Sequence, residues 1–107
     1  MANATRVADV SRGYFIGSYT GTTAAQNIHI GFQPALIYAW NRTDGDTVWM
    51  WSAADIVNVK TIVALVANEV AAVTQIDNGT VIGFSLPSNA VINENLKVYD
   101  FIAFPDA

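Results

Sequence analysis

Residues 35–52 read ALIYAWNRTDGDTVWMWS, and this stretch decides the fold. Two segments rich in β-forming residues flank a turn at 43–46, where the Asp-Gly pair favours a tight hairpin because glycine accepts positive φ. In the second segment Trp49 and Trp51 alternate with Val48 and Met50, so each pair faces one side of a strand. The stretch therefore predicts an antiparallel hairpin with strands at 35–41 and 47–52.

Further short strands are expected on both sides of this hairpin. Asp77-Asn78-Gly79 supplies a second hairpin turn, and the polar–apolar alternation before Gly31 is typical of a half-buried strand. The other predicted strands lie at 14–16, 26–31, 70–76, 80–86 and 97–104. Seven or eight short strands separated by glycine or proline indicate an all-β fold, either an antiparallel β-sandwich or a jelly roll.

The two less regular parts of the chain are its start and its middle. Residues 1–12 are small and polar, and we predict an N-terminal arm there, followed by one domain at 13–107. Residues 53–68 are rich in alanine, which suits a helix, but their β-branched residues favour strands with loops, which is our prediction.

The composition is unusually apolar for a small domain. Hydrophobic residues make up 52% of the 107 residues and charged residues 13%, where about 25% charged is ordinary. A small domain has too little interior to hide this much apolar surface, so we expect part of the surface to be covered by a partner or by further copies of the chain.

Net charge, cysteine content and targeting signals indicate which partners and which cellular compartment to expect. Nine acidic and five basic residues give a net charge of −4, which argues against nucleic-acid binding because that requires a clustered basic surface. No cysteine is present, so no disulfide or thiolate site is expected. The start lacks the apolar segment of a signal peptide, and the most apolar run, 62–67, is too short to cross a bilayer. We expect synthesis and folding in the cytoplasm, without membrane association.

Catalytic motifs are missing from the sequence. It contains no phosphate-binding loop, zinc-protease motif or nucleophile elbow, and its single histidine, His29, lies on an alternating strand. Asp44 and Asp46 flank Gly45 and offer two oxygen donors to a calcium ion, but such a site needs six or more, so a solvated hairpin tip is the preferred interpretation. We predict a non-enzymatic protein with no metal and no cofactor.

The candidate interface residues come from three observations. The three tryptophans lie on the predicted hairpin. Their side chains have three possible roles, which are packing in the core, forming an interface hot spot or stacking on a glycan. Asp100 is surrounded by apolar neighbours, so it either pairs with an arginine or lies on a solvated sheet face. The predicted arm carries two arginines. The candidates are therefore Arg6, Arg12, Trp40, Trp49, Trp51 and Asp100.

Several turn and strand motifs resemble a short β module found in virion proteins of tailed bacteriophages. The resemblance leaves out the middle of the chain. It is carried by Tyr14-x-x-Gly17-x-Tyr19-x-Gly21, Gln26-x-Ile28-x-Ile30-Gly31-Phe32-x-Pro34, Gly83-Phe84-Ser85-Leu86, Val91-Ile92-Asn93 and Tyr99-x-Phe101-Ile102-Ala103-Phe104.

The resemblance implies a structural protein of a virus particle. Because the module makes up nearly the whole chain and follows a short arm, it is similar to capsid decoration, or cement, proteins, which bind the major capsid protein and are often trimers. The alternative that the resemblance leaves open is the receptor- or glycan-binding part of a tail fibre or spike. Both imply localisation in the virion.

Overall fold

The computed structural model describes residues 5–8, 13–45, 47–61 and 73–105. They form nine strands, and for β1 and most of β6 only the backbone is described. The strands are β1 Thr5–Ala8, β2 Phe15–Thr20, β3 Gln26–His29, β4 Pro34–Asn41, β5 Val48–Ser52, β6 Asp55–Thr61, β7 Thr74–Asp77, β8 Ile82–Leu86 and β9 Val98–Pro105. None of the described residues forms a helix that would span a membrane.

The strands form two antiparallel sheets, which confirms the predicted all-β class. The larger sheet has the order β1-β2-β9-β4-β5-β6, and the smaller has the order β3-β8-β7. The two sheets share one core, and the rings of Phe84 in β8 and Phe101 in β9 meet edge to face at 5.5 Å between centroids. The architecture is therefore that of a β-sandwich.

Both predicted hairpins are present. Tyr38 pairs with Met50 in the β4–β5 hairpin, and Gly45 in its turn has a φ of +70°, as the Asp-Gly signal requires. In the middle of the chain β6 is a strand, so the preference for a strand over a helix holds for residues 55–61. Residues 62–68, which belong to the same prediction, lie outside the described part.

The start of the chain differs from a separate arm. Thr5–Ala8 pairs antiparallel with β2, so this part of the predicted arm is a strand of the larger sheet. Without it, β2 would be an edge strand with a row of unpaired backbone groups, which a short covering strand satisfies. Removing residues 1–12 would therefore uncover the edge of the sheet.

Candidate functional site

On the four central strands of the larger sheet, β2, β9, β4 and β5, the face that points away from the core is mostly apolar. In β4, Ile37, Ala39 and Asn41 are buried, and strand alternation turns the residues between them outward. We call this surface the outer face. Its apolar residues are Ile16, Leu36, Tyr38, Trp40, Val48, Met50, Val98, Ile102 and Phe104.

These side chains form continuous rows across the strands. Tyr38 pairs with Met50 on one side and with Ile102 on the other, and Ile102 pairs in turn with Ile16. Leu36 lies opposite Phe104 in the neighbouring row. Directly opposite side chains in antiparallel strands touch, so the outer face is one contiguous apolar surface.

The exposure of these residues is high for their size. Leu36, Tyr38 and Phe104 are each 39% exposed, Trp40 38% and Met50 36%. They are five of the six large hydrophobic side chains that are exposed within the described residues. Four strands about 4.8 Å apart and five residues of about 3.3 Å each give a patch of roughly 300 Å² in projection. This lies at the lower end of the range for the largest apolar patch on a typical monomer, and such patches are often functional.

One ion pair neutralises this surface. Asp100 is the only charged residue in the four central strands β2, β9, β4 and β5, and the Arg42 Nε donates to both of its carboxylate oxygens at 3.1 and 3.0 Å. The side chains are 59% and 26% exposed, so the pair adds at most about 1 kcal/mol to stability. Both alternatives for Asp100 hold, since it has an arginine partner and lies on an open face.

The three tryptophans divide between the two faces of the sheet. Trp49 and Trp51 are 0% and 1% exposed, so of the alternatives considered for them they are core, which removes them from any docking or glycan surface. Trp40 is exposed on the outer face, with its ring 6.4 Å from that of Tyr38. The hairpin register explains why Trp40 faces the opposite side from the other two tryptophans. Trp40 pairs with Val48, and Val48 and Trp49 alternate along β5, so they face opposite sides of the sheet.

The remaining candidates lie elsewhere. Arg6 is on β1, whose side chains are not described, and Arg12 lies outside the described residues. His29 is exposed at the end of β3, and its Nδ1 accepts a hydrogen bond from the Ile82 backbone N–H at 3.0 Å. The His29 side chain therefore links β3 to β8. Sequence reasoning missed Leu36, Tyr38, Met50 and Phe104 as surface residues.

The hairpin tip is engaged by its own neighbours. The Asp44 carboxylate accepts hydrogen bonds from the Lys97 Nζ at 3.1 Å and from the Asn41 Nδ2 at 3.4 Å. Asp46, the other acidic residue of this turn, lies outside the described residues. Among the residues that are described, no cluster of three or more acidic or histidine side chains is placed to hold a metal ion.

A buried hydrogen-bond network supports the sheet beneath the outer face. The Trp49 indole donates to the Tyr19 hydroxyl at 3.1 Å, and Tyr19 donates to the Ile92 carbonyl at 2.6 Å. Tyr99 stacks on Tyr19 at 4.9 Å between centroids and donates to the Val91 carbonyl at 2.7 Å. The two tyrosines therefore hold the segment that precedes β9 against the core.

The Tyr19 hydroxyl can be tested by its removal. Tyr19→Phe leaves the Trp49 N–H and the Ile92 carbonyl without their partner in the core, so we expect the free energy of unfolding to fall by about 2 to 3 kcal/mol. Denaturant titration measures this, with Tyr38→Phe as the control because Tyr38 is exposed. A loss no larger than that of Tyr38→Phe would contradict the role given to the network.

The same hydroxyl makes stability depend on alkaline pH. Burial raises the pKa of Tyr19 well above 10, while the hydrogen bond from Trp49 lowers it in part and Tyr99 raises it. In the unfolded chain the hydroxyl ionises near pH 10, so its contribution is complete below that pH and is lost as pH rises toward the folded-state pKa. We expect stability to fall less steeply above pH 10 in Tyr19→Phe than in Tyr38→Phe, measured by denaturant titration from pH 8 to 11.5. Equal slopes would contradict the assignment.

A second buried polar site joins the loops at one end of the sandwich. Asn93 is fully buried. Its Oδ1 accepts from the Thr22 backbone N–H at 3.0 Å and from the Gln26 Nε2 at 2.7 Å, and its Nδ2 donates to the carbonyls of Ala24 at 2.7 Å and Pro87 at 3.1 Å. One side chain thus connects the β2–β3 loop with the segment after β8.

Comparisons with protein-family models, with curated proteins and with solved structures gave no match. What the structure defines is therefore a class: an all-β sandwich with a contiguous apolar face on its larger sheet. The likeness to the phage module stays a prediction based on the motifs alone.

Proposed function

We propose that the chain is a non-enzymatic structural protein of a tailed-bacteriophage particle, a decoration protein that binds the assembled head and stabilises it. The observation that carries the proposal is the outer face, where large apolar side chains are exposed in a continuous patch. A sheet face offers a broad surface, which suits protein docking, whereas a small-molecule substrate is held in a concave site.

The composition of the outer face resembles that of a specific protein interface. Such interfaces have an apolar core depleted of charge and a polar rim, and they bury about 800 Å² on each partner. The apolar patch supplies the core. Ser18, Thr20 and Ser52 supply rim positions on the same strands, and Arg42 neutralises Asp100.

Charge favours a different protein over a second copy as the occupant of the outer face. Each chain carries a net charge of −4, and two such chains repel each other at close range. A neutral apolar face on an acidic chain therefore suits a partner that is neutral or basic overall. We assign the outer face to the major capsid protein.

The mechanism is mass action. A protein that binds the assembled shell and not its dissociated subunits stabilises assembly by RT ln(1 + [L]/Kd), about 2.7 kcal/mol per site at a hundredfold excess over Kd. No catalytic group is needed, because the contribution comes from the free energy of docking.

The proposal is tested on the particle itself. Heads of the phage that encodes the chain are expected to contain it in a fixed ratio to the major capsid protein, measured by mass spectrometry. Heads stripped of it are expected to rebind the purified chain to saturation and then to melt at a higher temperature in calorimetry. Particles without the chain, or an unchanged melting temperature at saturation, would contradict the proposal.

A second function, binding of receptors or glycans by a tail structure, is favoured by one observation. Tyr38 and Trp40 are neighbouring exposed aromatic side chains, and sugar rings stack on such surfaces. This function predicts hits on a glycan array that disappear in Trp40→Ala, together with normal head stability in particles that lack the chain. The decoration proposal predicts the opposite on both counts.

A further inference from the structure

Leu96 combines two unfavourable features in one residue. Its φ is +67°, a conformation that leucine rarely adopts because its Cβ approaches the following carbonyl group. Its side chain is 75% exposed, the most exposed large hydrophobic side chain within the described residues. An ordinary loop would place glycine or asparagine here.

The surrounding backbone holds Leu96 in this conformation. The Lys97 N–H donates to the Glu94 carbonyl at 3.2 Å, which closes a turn with Leu96 in its third position, where glycine is usual. The Leu96 N–H donates to the Gly21 carbonyl at 2.9 Å, and the Gly21 N–H donates to the Lys97 carbonyl at 2.8 Å. The side chain is therefore presented from a fixed support.

The comparison with Thr23 shows what Leu96 lacks. Thr23 is the other non-glycine residue with positive φ in the described ranges, and its hydroxyl oxygen accepts a hydrogen bond from the Asn95 N–H at 3.0 Å. The hydrogen bond to the Thr23 hydroxyl stabilises the fold and offsets the strain of the positive φ at Thr23. Backbone hydrogen bonds hold the Leu96 turn, but the Leu96 side chain points mostly into solvent, so within the described residues it adds no contact comparable to that of Thr23. Strain of this kind is concentrated at sites that bind ligands.

We propose that Leu96 is an anchor residue that inserts into an apolar recess of the same capsid protein that the outer face contacts. The inference rests on the proposed function and adds a specificity-determining contact to it. Leu96 lies two residues before Val98, which opens β9 at the edge of the outer face, so one partner can reach both. Because the backbone already fixes Leu96, its insertion loses little backbone freedom, and the remaining entropic cost is that of the side-chain rotamers.

The test separates stability from binding. Leu96→Gly and Leu96→Asn suit positive φ better than leucine does, so we expect the midpoint of thermal unfolding to stay level or rise by a few degrees. Affinity for stripped heads of the encoding phage is expected to fall at least tenfold, measured by co-sedimentation. Asn95→Ala, at the exposed neighbouring position, is the control and is expected to bind like the wild type.

The outcomes distinguish this inference from the proposed function. The outer-face variant combines Tyr38→Lys with Met50→Glu, at two directly paired positions. Wild-type affinity in both Leu96 variants, alongside lost binding in the outer-face variant, overturns the anchor and leaves docking intact. Wild-type affinity in the outer-face variant overturns the docking proposal itself. A lower unfolding midpoint in both Leu96 variants would show that Leu96 packs within its own chain, which also overturns the anchor. Self-association would overturn the anchor as well. In that case sedimentation velocity shows oligomers of the wild-type chain that are lost in the Leu96 variants, while the variants bind heads like the wild type.

Discussion

Replacement of Asn93 by alanine is expected to lower the free energy of unfolding by about 3 kcal/mol. The substitution removes both acceptor contacts of Oδ1 and both donor contacts of Nδ2. The Thr22 N–H and the carbonyls of Ala24 and Pro87 then lose their partner, the fully buried Asn93 side chain. Because these groups belong to two separate loops, we also expect both loops to exchange amide hydrogens faster.

The control for this prediction is Asn95→Ala. Asn95 is exposed and lies two residues further along the same loop, so its side chain should contribute less than about 0.5 kcal/mol. Denaturant titration of both variants gives the comparison. If the two substitutions cost the same, the connection between the loops does not depend on the Asn93 side chain.

The second large effect is expected on docking. Tyr38→Lys combined with Met50→Glu places opposite charges at two directly paired outer-face positions, which keeps the net charge at −4 and allows a cross-strand ion pair. Both positions are exposed, so stability should change by less than about 1 kcal/mol. Affinity for stripped heads should fall at least a hundredfold, because docking would have to remove two charges from water in the core of the interface.

A matched pair on the other sheet serves as the control. Thr74 and Ser85 are directly paired in β7 and β8, so Thr74→Lys with Ser85→Glu makes the same chemical change away from the outer face. Co-sedimentation with stripped heads should show wild-type affinity for this variant. Equal losses in the two double variants would mean that the effect is not specific to the outer face.

Much of the local structure was predictable from the sequence. The Asp-Gly turn and the alternation around Trp49 and Trp51 predicted the β4–β5 hairpin and its two faces correctly, because both signals act between neighbouring residues. The extent of β1 was not predictable in this way. Thr5 and Val7 favour strands, but four residues are too few for a clear periodicity, and the segment gains its place by covering the edge of β2.

The outer face was harder to predict because β4 is apolar on both sides. Leu36, Tyr38 and Trp40 alternate with Ile37 and Ala39, so periodicity gives two faces without saying which is buried. That choice depends on β9, which enters the sheet between β2 and β4 from the far end of the chain. The same long-range pairing brings Arg42 to Asp100, and the sequence could state only that Asp100 needed such a partner or an open face.

A reconstruction of the decorated head at side-chain resolution tests the outer face most directly. The account predicts that Tyr38, Trp40 and Met50 point toward the shell and contact apolar residues of the major capsid protein, with the smaller sheet facing outward. A bound chain whose larger sheet faces solvent while another surface meets the shell would contradict it.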